Sequence, residues 1–276
     1  MTWMPTALTI AGSDSGGGAG IQADLKTFSA YRVFGLSVIT GLTAQNTQGV
    51  RSVELPAAAF IKAQLQAVAE DLRVDAVKTG MLATGEIIRT VAAAVRDFGF
   101  PNLVVDPVMI AASGDALMQH EAAPVMRDYL FPLAMVVTPN LDEAGYLCGR
   151  KIGTVEEMEA AARSIHAMGP RFVLLKGGHL PGGTVVDLLY DGRQFTRREG
   201  SRVAGEFHGT GCTLSSAIAA ALAYGLPVPE AVAAAQEYVG LAIRSAPVVG
   251  KGRRPLNHFP ETFSPPPLRR GAEGAR

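Results

Sequence analysis

The chain has 276 residues, of which 48% are apolar and 18% charged, and its 25 basic residues balance 25 acidic residues. This composition predicts a folded protein with a sizeable core, and the lack of net positive charge argues against nucleic acid as its main partner. No apolar run approaches the roughly 18 residues that a membrane span needs. No secretory signal pattern is visible, and two distant cysteines argue against a disulfide framework. We therefore expect a reduced, cytoplasmic protein without a membrane or nucleic-acid partner.

Short β-rich runs alternate with helical periods along the chain. Residues 8–10 predict a first strand, and Ile21, Leu25 and Phe28 then follow at intervals of four and three residues, which places them on one helical face. Further strands are predicted at 37–40, 76–78, 103–105, 135–137 and 172–175, and further helices at about 61–72, 87–98, 212–224 and 229–244.

This alternation is typical of right-handed crossovers and predicts a mainly parallel sheet with helices on both faces. Residues 185–190 and 194–198 flank a turn at Asp191-Gly192-Arg193 and predict a hairpin near one edge. We see no interior linker or repeat, so the chain is predicted to be a single α/β domain over residues 1–259. Residues 260–276 are rich in proline, glycine and arginine, and they predict a disordered tail.

Polar and glycine-rich residues follow almost every predicted strand. Ligands of open α/β sheets bind outside the carboxyl ends of the strands, so these segments are expected to converge on one cleft. The segments are 12–20, 45–46, 78–81, 106–107, 138–143, 176–179 and 208–212.

The glycine cluster at 12–20 matches neither a dinucleotide-binding pattern nor a P-loop. It is either a flexible turn into the following helix or a segment whose missing side chains let the backbone close over a small ligand. Asp24, one turn into that helix, either favours the helix dipole or accepts hydrogen bonds from a ligand amino group.

Asp106 and Glu143 are the candidate metal ligands, because two carboxylates with phosphate oxygens and water suit Mg²⁺. Alternatively, Asp106 ends a strand in an Asp-Pro turn and Glu143 is a first-turn helix acid. Lys176 precedes two glycines and could reach a phosphate, or could extend its ammonium group into solvent. His179 is a weaker candidate.

The segment His208–Cys212 opens an alanine-rich helix. Glycines at a helix start expose backbone N–H groups where the helix dipole is positive, so this turn is predicted to hold phosphate charge during phosphoryl transfer. The same field is expected to lower the pKa of the Cys212 thiol, which could then act as base or nucleophile. Cys148 lies in an apolar helix stretch and is predicted to be inert.

Together these segments resemble hydroxymethylpyrimidine/phosphomethylpyrimidine kinases of thiamine biosynthesis, which are ribokinase-like enzymes. The resemblance runs from about Ala7 to Phe259. The matching segments are 11–14, 20–27, 43–47, 78–82, 105–108, 138–140, 176–179 and 208–213.

The resemblance implies a ribokinase-like fold, a homodimer, and ATP-dependent phosphorylation of 4-amino-5-hydroxymethyl-2-methylpyrimidine to its monophosphate and then its diphosphate. Gly209, Thr210, Gly211 and Cys212 would form the anion hole, and Cys212 would stand where many ribokinase-like sugar kinases place an aspartate base. The implied substrate-binding residues are Gly12, Asp24, Gln45, Met81 and Val108. The implied nucleotide-binding residues are Asn140, Lys176 and Thr210, and the implied Mg²⁺ ligands are Asp106 and Glu143.

Two departures from the family pattern stand out. Ser15-Gly16 replace a proline and a serine, and Arg253-Arg254 replace glycines before Pro255. The rival interpretations are a pyridoxine or pyridoxal kinase, whose substrate is also a flat heterocycle with a hydroxymethyl group, and a non-catalytic pyrimidine-binding sensor.

Overall fold

The computed structural model describes residues 4–110, 114, 117–178, 180 and 183–267. Within these described residues, nine strands build the central sheet: β1 (Thr6–Asp14), β2 (Phe34–Asn46), β3 (Gly49–Glu54), β4 (Ala76–Thr79), β5 (Leu103–Val105), β6 (Val136–Val137), β7 (Phe172–Lys176), β8 (Thr184–Tyr190) and β9 (Phe195–Ser201). Their order across the sheet is β3-β2-β1-β4-β5-β6-β7-β8-β9. Neighbouring strands from β2 to β7 are parallel, and the pairs at the two ends are antiparallel.

Helices cover both faces of this sheet. They are α1 (Gly20–Ala30), α2 (Ala58–Asp71), α3 (Gly85–Asp97), α4 (Ala122–Val125), α5 (Leu141–Cys148), α6 (Val155–His166), α7 (Thr210–Ala223) and α8 (Val228–Arg244). One apolar core packs α1, α7 and α8 against the sheet, and a second core packs α2 to α6 against the other face. The predicted α/β fold with a mainly parallel sheet is confirmed.

The sequence pattern located the buried elements better than the exposed ones. The predicted hairpin is confirmed as β8 and β9, which pair in antiparallel register. Strand β3 was not predicted, because it is an edge strand with mostly exposed residues and no apolar run. Helix α6 was not predicted either, because half of its buried face consists of Ala161 and Ala162 rather than large apolar side chains.

Two short strands, β10 (Phe207–His208) and β11 (Arg254–Pro255), pair in parallel outside the main sheet. Arg254, the second residue of the unusual Arg253-Arg254 pair, therefore lies with Pro255 directly beside the segment that leads into α7. None of the helices in the described part of the chain is both long and apolar enough to cross a lipid bilayer.

The ordered C-terminal packing extends beyond Phe259. The ring of Phe263 lies 4.9 Å from the ring of Tyr31 and 4.6 Å from that of Tyr238. Phe263 belongs to the range predicted as a disordered tail, but its ring packs against two buried rings, one from α8 and one at the end of α1. Residues 268–276 lie outside the described residues.

We expect Phe263→Ala to lower the free energy of unfolding by about 2 kcal/mol, because it removes a partly buried ring and two aromatic contacts. Urea denaturation monitored by circular dichroism measures this. Phe259→Ala is the matched control: that ring is 57% exposed, and its loss is expected to change stability little. Equal effects of the two variants would contradict the packing role of Phe263.

Candidate active site

One cavity of about 1050 Å³ lies at the carboxyl ends of the parallel strands. The segments that follow β1, β2, β4, β5, β6 and β7 meet there with the start of α7, as the sequence predicted. The predicted site residues that line this cavity are Gly12, Gln45, Met81, Asp106, Val108, Asn140, Glu143, Lys176, Gly209, Thr210, Gly211 and Cys212. Asp24 does not line it, and His179 lies outside the described residues.

The glycine-rich segment after β1 is folded around the carboxylate of Asp14. Backbone N–H groups of Gly16, Gly18 and Ala19 donate to this carboxylate over 2.7, 3.1 and 2.9 Å. Burial alone would raise the pKa of Asp14, but His208 and the N–H groups of Gly16 and Ala19 together lower it. The segment is therefore an ordered loop. Sequence reasoning missed Asp14, although an Asp at the head of a glycine run is a known turn signal.

Two glycines permit close contacts around the cavity, one between this loop and the segment that leads into α7, the other beside Met81. Gly209 has a φ of +83°, and a Cβ there would collide with the carbonyl of Gly18. At Gly12, a Cβ would lie 3.1 Å from the sulfur of Met81. Side chains at these two positions would push the loop and Met81 away from the cavity.

Asp24 is part of a fully buried ion pair. Its carboxylate lies 2.8 Å from Nζ of Lys78, and neither side chain is exposed. The hydroxyl groups of Thr9 and Ser216 also donate to Asp24. All these donors come from the protein, so the prediction that Asp24 contacts a substrate amino group is not supported. The sequence could not reveal this, because Thr9 and Ser216 are distant from Asp24 along the chain.

Lys78 is a cavity residue that sequence reasoning left without a role. Burial by itself would lower the pKa of Lys78, but the charge of Asp24, and then that of Asp106, raise it. The ammonium group therefore stays charged at the base of the cavity.

We expect Asp24→Asn to destabilise the protein by about 3–5 kcal/mol, because it leaves Lys78 charged and unpaired in the interior. Urea unfolding measures the loss, and Glu159→Gln, which removes an exposed partner of Arg163, is the control with little expected change. A variant of normal stability with weakened substrate binding would instead support a ligand role for Asp24.

Asp106 and Lys176 form an ion pair in the lining of the cavity. Asp106 is buried, and its Oδ1 lies 3.3 Å from Nζ of Lys176, while the hydroxyl of Ser215 donates to Oδ2 over 3.3 Å. Nζ of Lys176 also lies 3.3 Å from the position that a Cβ on Gly211 would occupy. The lysine thus points toward the start of α7, where a side chain on Gly211 would crowd it.

Asn140 and Glu143 form a capping box at the start of α5. The Asn140 side chain accepts from the N–H of Glu143 over 2.9 Å, and Oε2 of Glu143 accepts from the N–H of Asn140 over 2.8 Å. This satisfies helix-end donors and explains where α5 begins. Burial raises the pKa of Glu143 to about 7, the charge of Lys176 opposes this rise, and that of Asp106 adds to it.

Stability of the metal-free protein should therefore depend on the ionisation of Glu143. The pKa of this carboxyl is near 4.5 in the unfolded chain and about 7 in the folded protein. The protonated carboxyl therefore contributes to the free energy of unfolding at low pH, and this contribution is lost as the pH rises from 4.5 to 7. We expect Glu143→Gln to gain stability relative to wild type between pH 5 and 8, by on the order of a few kcal/mol. Thermal unfolding in EDTA measures the difference.

Glu157→Gln is the matched control, because Glu157 is the corresponding residue of the exposed capping box at α6. It should show no such pH-dependent gain. A parallel response of the two variants would contradict the burial effect at Glu143.

The anion turn, residues 209–212, is supported from its C-terminal side. The hydroxyl of Thr213 donates to the carbonyl of Gly209 over 2.8 Å, and Nε2 of His258 lies 3.1 Å from that hydroxyl. Burial lowers the pKa of His258 to about 4, so the ring is neutral near pH 7. A neutral ring whose Nε2 carries the proton donates to Thr213, and the segment after β11 thereby holds the turn in place.

Cys212 lines the cavity in the first turn of α7, but its thiol is not acidic. Burial raises its pKa to about 11, although the charge of Lys78 and the N–H of Gly20 favour the thiolate. The expectation of a lowered pKa is therefore wrong, because desolvation outweighs the helix dipole. Cys148 lies outside the cavity with Sγ 3.8 Å from the carbonyl of Ala161, and burial raises its pKa too.

Comparison with known proteins identifies the class first. The solved structure of a Bacillus subtilis pyridoxal kinase in complex with ADP superposes with a TM-score of 0.86, at 40% identity over 94% of this chain and 98% of that one. A pyridoxal kinase of Staphylococcus aureus superposes with a TM-score of 0.87 at 34% identity, over 94% of this chain and 95% of that one. The protein is thus a phosphotransferase with a ribokinase-like fold.

The family follows from the sequence matches. The family model described as phosphomethylpyrimidine kinase matches residues 14–257, and the chain belongs to that family. The hydroxymethylpyrimidine/phosphomethylpyrimidine kinase of Rhizobium meliloti is 53% identical over 92% of this chain and 96% of its own length. The structure of phosphomethylpyrimidine kinase from Clostridium difficile 630 has a TM-score of 0.78 at 47% identity, over 87% of this chain and 99% of that one.

Proposed function

We propose that the protein uses ATP to phosphorylate 4-amino-5-hydroxymethyl-2-methylpyrimidine to its monophosphate and then to its diphosphate, in thiamine biosynthesis. The observation that carries this proposal is that one cavity of a phosphomethylpyrimidine kinase family member is lined by Gln45, Met81 and Val108 and also by Asp106, Lys176 and the glycine-rich start of α7. A pure binding protein has no need of groups that bind phosphate, which argues against a sensor.

The heterocycle would lie among Gly12, Gln45, Met81 and Val108. Apolar contact from Met81 suits a flat ring, and the amide of Gln45 suits its amino substituent. The hydroxymethyl group would then face the anion turn, where backbone N–H groups of the first turn of α7 stabilise the transferring phosphoryl group.

ATP would bind with its phosphates between Lys176, Asn140 and the anion turn. Structures of related pyridoxal kinases contain ADP or the ATP analogue AMP-PCP, which supports a nucleotide in this cavity. Lys176 supplies positive charge to the phosphates, and Thr210 adds a hydroxyl group at the same place.

Mg²⁺ fits the donor set that Asp106 and Glu143 provide. Within the described ranges, no group of three or more His, Cys, Asp or Glu residues could hold a metal by itself, but Mg²⁺ usually combines one or two carboxylates with substrate phosphates and water. The ion would neutralise phosphate charge. Asp106 and Glu143 would orient it, and ionised Glu143 would bind it better than the protonated form.

In the first phosphorylation, the Cys212 thiol would orient the substrate hydroxyl, and only its thiolate form would receive the proton. With a pKa of about 11, its thiol is mostly protonated near pH 7, so positioning and electrostatics would supply most of the rate. The second acceptor is a phosphate monoester, which is already largely ionised and needs no base.

We expect Cys212→Ala to reduce the first phosphorylation about 10²-fold and the second much less, because only the alcohol has to lose a proton. Single-turnover assays with each acceptor measure the two losses, and Cys148→Ala, outside the cavity, serves as the control. Equal losses in both steps would refute this differential role.

A direct assay tests the proposed function. Purified protein receives ATP, Mg²⁺ and either the aminopyrimidine or its monophosphate, and mass spectrometry follows the mono- and diphosphate. Formation of both products supports the proposal. Absence of ADP with every heterocycle would favour a binding protein instead.

Pyridoxal phosphorylation is a second candidate activity, because pyridoxal kinases with solved structures are 34–40% identical to this chain. The same assay with pyridoxal and pyridoxine separates the two activities through their kcat/KM values.

We also propose that the protein is a cytoplasmic homodimer. Large apolar side chains are exposed on the neighbouring elements β2, β3 and α2, as at Phe34, Val53 and Phe60, and such surface is typical of an interface. Light scattering coupled to size exclusion tests the dimer, and a monomer at micromolar concentration would contradict it.

A further inference from the structure

His208 connects the glycine-rich loop to the candidate substrate amide. Its Nε2 lies 2.9 Å from Oδ2 of Asp14 and 3.1 Å from Nε2 of Gln45. The imidazole is largely buried, and so is the Asp14 carboxylate. Water therefore has little access to this pair, and the donor and acceptor groups of the side chains themselves determine the direction of each hydrogen bond.

The Asp14 carboxylate determines which tautomer His208 adopts. An ionised carboxylate has only acceptor sites, and Asp14 is held in that form by three backbone N–H groups. Nε2 of His208 must therefore carry a proton and donate it to Oδ2 of Asp14. It then has no lone pair with which to accept a hydrogen bond from Gln45.

This tautomer decides which way the Gln45 amide points. In the structure the amide nitrogen faces Nε2 of His208, which sets two donors against each other. Rotating the amide by half a turn exchanges two atoms of similar shape. The oxygen is then a second acceptor for the single Nε2–H of His208, which it shares with Asp14 in a three-centre hydrogen bond. The amide nitrogen donates to the Thr43 hydroxyl, which lies 3.0 Å from the other amide atom.

The surroundings of Gln45 are consistent with this orientation. The Thr43 hydroxyl, once it accepts from Gln45, still donates to the carbonyl of Ser13 over 3.0 Å. The backbone of Gln45 exchanges two hydrogen bonds of 2.8 Å with the Ser15 hydroxyl. The backbone is thus held in place, and the side-chain amide can adjust without moving β2.

We infer that Asp14 and His208 orient the Gln45 amide with its oxygen toward His208, which itself lines the cavity, so that the site selects a ring bearing an amino group over one bearing an oxo group. The oxygen has a second lone pair that can accept from a ring amine, whereas an oxo group would meet another acceptor. His208 is thus a specificity-determining residue that acts through Gln45. This inference rests on the proposed function, because it assumes that Gln45 faces the heterocycle.

The test compares three acceptors that differ only at ring position 4, which carries an amino group, an oxo group or hydrogen. For wild type, His208→Phe and His208→Gln, kcat/KM is measured with each acceptor. In His208→Phe the Gln45 amide is free to turn, so the preference for amino over oxo should fall about tenfold, the value of one hydrogen bond. His208→Gln should restore part of the preference, because its amide N–H can replace the donor.

Gln45→Glu provides the matched background. Both terminal atoms of a carboxylate are acceptors, so the orientation of the side chain at position 45 no longer matters in this variant. Adding His208→Phe to Gln45→Glu should therefore change the amino-to-oxo preference less than His208→Phe does in the wild-type background. A similar change in both backgrounds would show that His208 does not act through the amide.

A uniform loss with all three acceptors, leaving the preference intact, would mean that His208 only supports the anion turn, and would overturn the inference. The ring ¹⁵N shifts of His208 in the wild-type protein test it without any variant: an Nδ1–H tautomer would equally overturn it. By contrast, wild-type protein that forms no ADP with any heterocycle would refute the proposed function itself.

Discussion

The buried ion pair between Asp24 and Lys78 is the interaction around which the site is assembled. It joins α1 to the end of β4, and through Thr9 and Ser216 it also reaches β1 and α7. A buried pair of charges adds little net stability, but leaving one partner alone is costly. The pair therefore fixes where two helices lie on the sheet, and so where α7 begins beneath the cavity.

The start of α7 is further held from two sides. The loop after β1 contacts it through His208 and the close approach of Gly18 to Gly209. The C-terminal segment contacts it through His258 and Thr213. Backbone N–H groups stabilise developing charge only when they are fixed in advance, and these two supports come from opposite ends of the chain.

Electrostatics in the cavity follow from burial more than from the helix dipole. Burial opposes charge on Cys212 and Glu143, whereas the paired Lys78 and Lys176 stay charged. The cavity thus presents fixed positive charge to phosphate while its thiol remains mostly protonated. A bound nucleotide and metal ion would change these charge states, because a neighbouring cation lowers the free-energy cost of ionising the buried carboxylates.

The sequence predicted the parallel sheet, because continuous apolar runs that alternate with helical periods are compatible with few other folds. It also predicted which strand ends meet, since parallel strands bring their carboxyl ends to one edge. Edge strand β3 and the two short strands β10 and β11 were not predicted from the sequence. Their residues show no apolar periodicity, and their pairing depends on neighbours distant in sequence.

Motif order alone was enough to suggest the family, and the turn before Cys212 could be recognised as an anion site because glycines before a helix have a local physical meaning. The assignment of individual side chains was different. Asp24 looked like a ligand contact until its partners from three other elements were known, and the acidity of Cys212 depended on how deeply it is buried. Residues adjacent in sequence determine the local backbone geometry. The charge state of a side chain and the direction of its hydrogen bonds depend on groups that only the tertiary structure brings together.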